Sequence, residues 1–184
     1  ATGLAHDREW MVVDPDGRFM TQREEPRLAL VGTAFPMKVS PALLDSALNE
    51  PERAIKMINV FSRATLAPPP SALGPGTWVY GASMALGRRV LASNTTANVF
   101  HRGFKACDSY ANGDTAITQI TCPVLFVLGE QDQMTTPKAA QLLLAAARKR
   151  TARTELNMVP VGHHQMTEAP EQTLSALRQF LASP

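Results

Sequence analysis

The sequence contains little cysteine and no long apolar run, and each shortage excludes a class of protein. Only 2 of its 184 residues are cysteines, Cys107 and Cys122, and neither has a partner at zinc-ligand spacing. We therefore expect two free thiols, no metal and no cofactor. No apolar stretch approaches the roughly 18 residues that a membrane-spanning helix needs, so no membrane association is expected.

The sequence also lacks a large excess of either charge. It has 18 Lys and Arg residues against 16 Asp and Glu residues, a net charge of +2. Its basic residues are scattered, apart from Arg148, Lys149 and Arg150, and this pattern does not predict a nucleic-acid partner. The first residues, ATGLAHDREW, lack the basic and apolar blocks of a secretion signal, so we expect a cytoplasmic protein.

The N-terminal segment is typical of a β-hairpin followed by a buried strand. REWMVVD and RFMTQR are rich in strand-forming residues, and Pro15, Asp16 and Gly17 between them form a turn signal. The next run, RLALVGT, is short and nearly all apolar. Such a run is typical of a strand that is buried on both faces of a parallel sheet.

The middle of the chain predicts helices. SPALLDSALNE and PERAIKMINVFSRA begin with Ser or Pro start signals and carry apolar residues at helical spacing. Residues 78–110 show a helical pattern as well. The intervening APPPSALGPG contains too much proline and glycine for a regular element, so we expect a loop there.

The last third alternates between strands and helices. PVLFVLG and TELNMV predict strands, and TPKAAQLLLAAARKR predicts a helix capped by Thr136. APEQTLSALRQFLAS predicts a final helix with Leu174, Leu177 and Leu181 on one apolar stripe. The alternation predicts parallel strands that are joined by right-handed crossovers.

Two polar side chains follow the last two predicted strands. Asp132 comes three residues after Gly129, and His163 comes four residues after Val159. Because the carboxyl ends of neighbouring parallel strands meet at one rim, we expect the carboxylate and the imidazole to lie together. An Asp beside a His fixes its tautomer and stabilises the imidazolium, so the pair indicates acid–base chemistry. If only one of the two residues were present, the simpler interpretation would be a polar residue of the loop without a catalytic role.

The segments ITCPVLFVLGEQDQMTTPKAAQLL and VPVGHHQMTEAPEQTLSALRQFL resemble the C-terminal part of the α/β-hydrolase family. The resemblance runs from about Arg27 to residue 184 and implies that Asp132 is the acid of a catalytic triad and His163 its base. It also implies a helical cap over about residues 40–115, because GTWVYGASMALGRRVL and FKACDSYANG resemble cap helices.

The residues before Arg27 do not fit that family. TGLAHDREWMVVDPDGRFMTQREEPRLALV is similar to the N-terminal β-barrel segment of MOSC proteins, the molybdenum-cofactor sulfurase-like group, over about residues 1–31. Since both resemblances share RLALV, our hypothesis is a fusion at that run, with residues 32–184 forming the hydrolase-like part. About thirty residues of the MOSC pattern are too few to predict molybdenum-cofactor chemistry.

The nucleophile that the hydrolase resemblance requires is difficult to locate. In that family the G-x-S-x-G elbow and the loop with the first oxyanion-hole amide precede the strand that LALVGT resembles, and neither has a counterpart here. Ser83, in GASMA, is the best remaining candidate, although Ala85 stands where the motif has a glycine. The alternative is that Ser83 is a small residue that packs within a cap helix.

Together these patterns predict an α/β fold: a truncated α/β-hydrolase-like sheet of about three parallel strands, a helical cap and the hairpin added at the sheet edge. We expect a serine hydrolase of small carboxylic esters that uses Ser83, His163 and Asp132. The alternative is a non-catalytic remnant that binds a small apolar ligand or nothing. Because half a sheet leaves an open edge, we also expect a homodimer, joined through that edge or through the cap helices.

Overall fold

The computed structural model describes residues 26–65 and 78–182, together with the backbone of residues 10–13 and 19–22. The strands β1 (Trp10–Val13) and β2 (Phe19–Gln22) pair in antiparallel fashion, which confirms the predicted hairpin. Its predicted turn at residues 15–17 and the predicted loop APPPSALGPG lie outside the described residues.

A three-stranded parallel sheet forms the centre of the fold, as predicted. Its strands, in the spatial order β3-β4-β5, are β3 (Leu28–Val31), β4 (Val124–Gly129) and β5 (Thr154–Val159). Both pairings are parallel. The first residue of β4, Val124, lies opposite Leu28 of β3 on one side and opposite Thr154 of β5 on the other. All of β4 is buried because this central strand is covered on both faces.

The described residues contain eight helices. Five of them lie between β3 and β4: α1 (Pro41–Asn49), α2 (Pro51–Phe61), α3 (Val79–Ser93), α4 (Val99–Asp108) and α5 (Gly113–Thr118). The remaining three are α6 (Pro137–Arg150), which joins β4 to β5, and α7 (Gln165–Glu168) and α8 (Pro170–Ala182), which follow β5. No helix in the described ranges is both long and apolar enough to cross a bilayer.

Helices cover the two faces of the sheet separately. Since successive strand residues point to opposite faces, β4 contributes to two cores. Phe126 and Leu128 pack with Leu143 and Leu144 of α6 and with Ile117 of α5. The opposite face carries the second core, formed by Leu125, Val127, Val159, Val161, Ala176 and Phe180.

The first four helices, α1 to α4, pack largely against one another, whereas α5 packs against α6. Three of the helix starts are fixed by side-chain caps, in which the oxygens of Ser40, Asn98 and Thr136 accept backbone N–H groups. The cap at Thr136 is the one that the sequence predicted.

Two expectations about packing are wrong. The hairpin forms a sheet of its own and does not extend the parallel sheet at β3, because sequence order alone specifies no pairing partner. Of the predicted stripe in α8, Leu177 packs against the second core, but Leu174 and Leu181 are 46% and 61% exposed. The buried face lies one residue earlier along the helix, a rotation of about 100°, and presents smaller side chains and one phenyl ring to the sheet. Its residues are Thr173, Ala176 and Phe180.

Candidate active site

Asp132 lies in the loop after β4, and its carboxylate is held by its own loop. Its Oδ1 accepts the backbone N–H groups of Met134 at 2.8 Å and of Thr135 at 2.9 Å. Its Oδ2 lies 2.9 Å from the hydroxyl of Thr135. An Asp that accepts N–H groups a few residues ahead stabilises a turn locally, so the sequence of this loop alone orients the carboxylate.

His163 lies in the loop after β5, and its Nδ1 is 2.9 Å from Oδ2 of Asp132. Because an ionised carboxylate can only accept, this contact assigns the proton of the neutral ring to Nδ1 and leaves Nε2 as the basic nitrogen. The side chain of Asp132 is 0% exposed, whereas that of His163 is 32% exposed. The structure thus brings the two predicted residues together as a partly exposed base backed by a buried anion.

Hydrogen bonds keep the buried carboxyl of Asp132 ionised. Burial alone raises the pKa of this group, but the hydrogen bonds from His163 and Thr135 and the positive charge of the imidazole when it is protonated outweigh that effect, so the pKa lies below its ordinary value. At neutral pH the carboxylate is therefore negative. A negative group at this position stabilises the imidazolium that forms when His163 accepts a proton.

Thr135 joins the ends of all three strands at the site. Its Oγ1 lies 2.9 Å from Nδ1 of His163 and 2.7 Å from the carbonyl oxygen of Gly32, which directly follows β3. Gly32 has a φ of +58°, a left-handed conformation that favours glycine. A β-carbon there would also lie 3.4 Å from Cε1 of His163, so the end of β3 closely approaches the imidazole.

The backbone of His163 is fixed on both sides. Its N–H donates to the carbonyl of Ser62 at 2.7 Å, and the N–H of His164 donates to the same oxygen at 3.3 Å. In the amide orientation that satisfies both of its neighbours, buried Gln165 donates to the carbonyl of His163 at 2.5 Å and accepts from the N–H of Gly129 at 3.2 Å. These backbone bonds set the direction in which the imidazole points.

Ser83 lies within α3 and not at the end of a strand. Its Oγ accepts a hydrogen bond of 3.0 Å from the guanidinium of Arg63, a residue that is 6% exposed. Among the hydrogen bonds of residues 26–65 and 78–182, none joins Ser83 to His163. Within the described residues the structure therefore does not join the predicted nucleophile to the predicted base by a hydrogen bond.

The neighbouring His164 has a different electrostatic environment. Burial, the positive charge of Arg63 and the charge that His163 carries when it is protonated lower the pKa of the His164 imidazole to about 4, against the opposing effect of Asp132. His164 is therefore neutral at neutral pH. It lies directly before α7 and helps to define the turn that carries His163.

The two cysteines lie apart from this site. Cys107 and Cys122 are both half-buried free thiols. Within the described part of the chain, no group of three or more His, Cys, Asp or Glu side chains is arranged to hold a metal ion.

Sequence reasoning missed four residues that organise the site, three through their side chains and Ser62 through its backbone carbonyl. Thr135 could have been found, because a hydroxyl residue three positions after a loop Asp is a turn signal. The other three, Ser62, Gln165 and Glu168, contribute through contacts between distant segments, which no local pattern reports.

The fold is that of known hydrolase structures. The chain is similar to an esterase (EaEST) from Exiguobacterium antarcticum, with a TM-score of 0.65 and 16% identity over 85% of this chain and 57% of that one. This chain has a truncated α/β-hydrolase fold. It is also similar to the enol-lactonase from Burkholderia xenovorans LB400, with a TM-score of 0.62 and 19% identity over 85% of this chain and 56% of that one.

A bromoperoxidase from Bacillus anthracis is similar too, with a TM-score of 0.64 and 10% identity over 85% of this chain and 58% of that one. The truncated α/β-hydrolase fold thus spans a little over half the length of each of these structures. The comparison with curated proteins finds no match.

Residues 1–62 match the family model described as the MOSC N-terminal beta barrel domain. This match confirms the resemblance predicted at the N-terminus. It also runs beyond residue 31 and includes β3, α1 and α2, which the structure places in the α/β-hydrolase fold. The two resemblances therefore overlap over more of the chain than the shared run RLALV.

Proposed function

We propose that this chain hydrolyses small carboxylic esters, with His163 as the general base and Asp132 as the carboxylate that orients it. The observation that carries the proposal is the 2.9 Å contact between Nδ1 of His163 and Oδ2 of Asp132 at the ends of two adjacent parallel strands. The structures to which the fold is similar include esterases and an enol-lactonase, and these support the same class of reaction.

In this reaction Nε2 of His163 accepts the proton of a hydroxyl as that hydroxyl attacks the ester carbonyl. Asp132 stabilises the resulting imidazolium, which then returns the proton to the departing alcohol. The attack leaves the acyl group on the hydroxyl oxygen as the bond to the alcohol breaks. Water then attacks this acyl ester while Nε2 takes its proton, and the imidazolium returns that proton to the departing side-chain oxygen, which releases the acid and restores the hydroxyl.

Ser83 remains the predicted source of that hydroxyl. For it to act, α3 must approach until Oγ of Ser83 lies within hydrogen-bond distance of Nε2 of His163. The guanidinium of Arg63 is already bonded to this oxygen, and a cation at that position stabilises a developing alkoxide. The small ester is the proposed ligand of the site.

A second candidate function is a non-catalytic remnant that binds a small apolar ligand or nothing. One observation favours it: the hydroxyl of Ser83 is engaged by Arg63, and no hydrogen bond in the described residues links it to His163. Under this alternative, the pair of Asp132 and His163 persists as a structural hydrogen bond at the rim of the sheet.

Labelling with a fluorophosphonate separates the two candidates. The catalytic proposal predicts that the purified chain is labelled on Ser83 and that His163→Ala abolishes the labelling, because the base activates the hydroxyl. Ser93→Ala is the matched control, since Ser93 is an exposed serine of the same helix. Absence of any labelled serine, with ester turnover no faster than that of free imidazole, would leave only the remnant.

We also propose that the chain forms a homodimer. Within the described sheets, β3 pairs with β4 alone and leaves its other edge open. Large apolar side chains on the helices, among them Leu86 and Leu181, are exposed as well. An open edge and uncovered apolar groups both favour association with a second copy.

A further inference from the structure

The carboxylate of Glu168 bridges the two loops that hold the candidate base. Glu168 is buried at the end of α7, where its Oε1 accepts the N–H of Ala64 at 2.8 Å and its Oε2 accepts the N–H of Gly162 at 3.1 Å. Ala64 lies in the loop after α2, and Gly162 directly precedes His163. One side chain therefore satisfies a backbone donor in each loop.

These two donors flank the backbone bond that positions His163. Ser62, two residues before Ala64, accepts the N–H of His163, one residue after Gly162. The hydrogen bonds of Glu168 and of Ser62 thus form a closed set between the same two short segments. If the carboxylate is lost, both segments are free to separate, and the bond from His163 to Ser62 weakens with them.

The close approach of the two loops gives the carboxylate its importance. A β-carbon on Gly162 would lie 2.6 Å from the backbone nitrogen of Ala64 and 2.8 Å from the carbonyl carbon of Arg63. The loops therefore touch backbone to backbone. The N–H of Gly162 is buried and that of Ala64 is partly buried, so each gains from an acceptor that the protein supplies.

We propose that Glu168 is a positioning residue that clamps the loop after α2 to the histidine loop and so keeps the imidazole of His163 on the carboxylate of Asp132. Its catalytic consequence rests on the proposed ester hydrolysis, whereas its effect on the two loops does not. The hydrogen bonds of Glu168 to Ala64 and Gly162 involve neither Asp132 nor the imidazole of His163.

Amide hydrogen exchange of the full chain tests the clamp without any requirement for activity. In Glu168→Gln an amide N–H₂ group replaces one acceptor, so one of the two backbone donors loses its partner. We expect the amides of His163 and His164 to exchange about tenfold faster or more, because an unsatisfied buried donor favours local opening. The exchange rates of the β4 amides should change less than twofold, which corresponds to about 0.4 kcal/mol at most. The effect of the substitution is thus confined to the two loops.

Glu171→Gln is the matched control, because Glu171 is an exposed carboxylate at the start of the next helix. It should leave the exchange of His163 and His164 unchanged. Unaltered exchange in Glu168→Gln, or acceleration that is uniform across the sheet, would overturn the proposal. If Glu168→Gln does not fold, Glu168→Asp keeps the charge but shortens the bridge, and the same local acceleration is expected of it.

Kinetics provide the second readout. If the wild type hydrolyses a p-nitrophenyl ester, Glu168→Gln should lower kcat about tenfold or more relative to the wild type and leave KM within twofold. The reason is that the base is misdirected while the ester still binds. An equal loss in Glu171→Gln, or a change in KM alone, would contradict positioning. If the wild type has no activity, that result counts against the proposed function. The clamp is then tested by amide hydrogen exchange alone, which does not require activity.

Discussion

The hydroxyl of Ser83 in α3 lies 3.0 Å from the guanidinium of Arg63 and accepts its hydrogen bond. This contact joins α3 to the loop after α2 through a buried cation, which also donates to Thr167 at 3.4 Å. The Nε of Arg63 has no partner among the described residues. The side chains that accept its hydrogen bonds in the described residues are two neutral hydroxyls, so the loss of either one leaves a buried donor without its acceptor.

We accordingly expect Ser83→Ala to lower the free energy of unfolding by about 1–3 kcal/mol, because a buried charged donor loses its acceptor. Ser93→Ala, on the exposed part of the same helix, should change it by less than about 0.5 kcal/mol. Urea unfolding of both variants checks this. Equal stability of Ser83→Ala and the wild type would show that Arg63 does not need this hydroxyl.

Gly162 should not tolerate a side chain. A β-carbon would lie within 2.6–2.8 Å of backbone atoms, so Gly162→Ala must push the two loops apart. We expect a loss of about 1–3 kcal/mol in the free energy of unfolding. Gly103→Ala is the control, because nothing lies within 4 Å of its β-carbon position and alanine favours the helix by up to about 1 kcal/mol. Thermal unfolding that ranks the two variants in the opposite order would contradict the close approach of the loops.

The neutral state of His164 should make stability depend on pH. Its pKa is about 4 in the fold and about 6.5 in an unfolded chain, so between these values the unfolded state binds more protons. Stability should therefore be full above about pH 6.5 and fall as the pH drops toward 4. His164→Gln should remove this part of the slope. Urea unfolding between pH 7 and pH 4 measures it, and an NMR titration of His164 with a midpoint near 6.5 would contradict it.

The fold was largely predictable from the sequence because its signals are local. The apolar runs at β3 and β4, the cap at Thr136 and the alternation of the last third each specify an element without reference to distant residues. The positions of Asp132 and His163 followed from strand ends meeting at one rim.

The details of packing were not predictable in the same way. The buried face of α8 carries Ala176 and Phe180, which pack in the second core, and leucine spacing does not report it. Similarly, Glu168 and Ser62 act through contacts between residues that are about one hundred positions apart in the sequence. Ala64 and Glu168, for example, are 104 positions apart. The GASMA motif drew attention to Ser83, but no sequence motif includes Arg63, so their hydrogen bond could not be predicted.

The proposed dimer has two possible surfaces, and one substitution in each separates them. Ala29→Lys places a charge on the exposed side chain of edge strand β3, and Leu86→Glu places one on an exposed position of α3. We expect light scattering at micromolar concentration to give a dimer mass for the wild type and a monomer mass for one of the variants. A clean monomer mass for the wild type would contradict the proposal.

Steady-state hydrolysis of p-nitrophenyl acetate shows whether His163 and Asp132 form a working acid–base pair. We expect turnover by the wild type above that of free imidazole. We also expect kcat/KM to fall about 10²–10⁴-fold in His163→Ala and substantially in Asp132→Asn, because the base is removed or loses its orienting anion. If the wild type and His163→Ala hydrolyse the ester at the same rate, His163 is not the base.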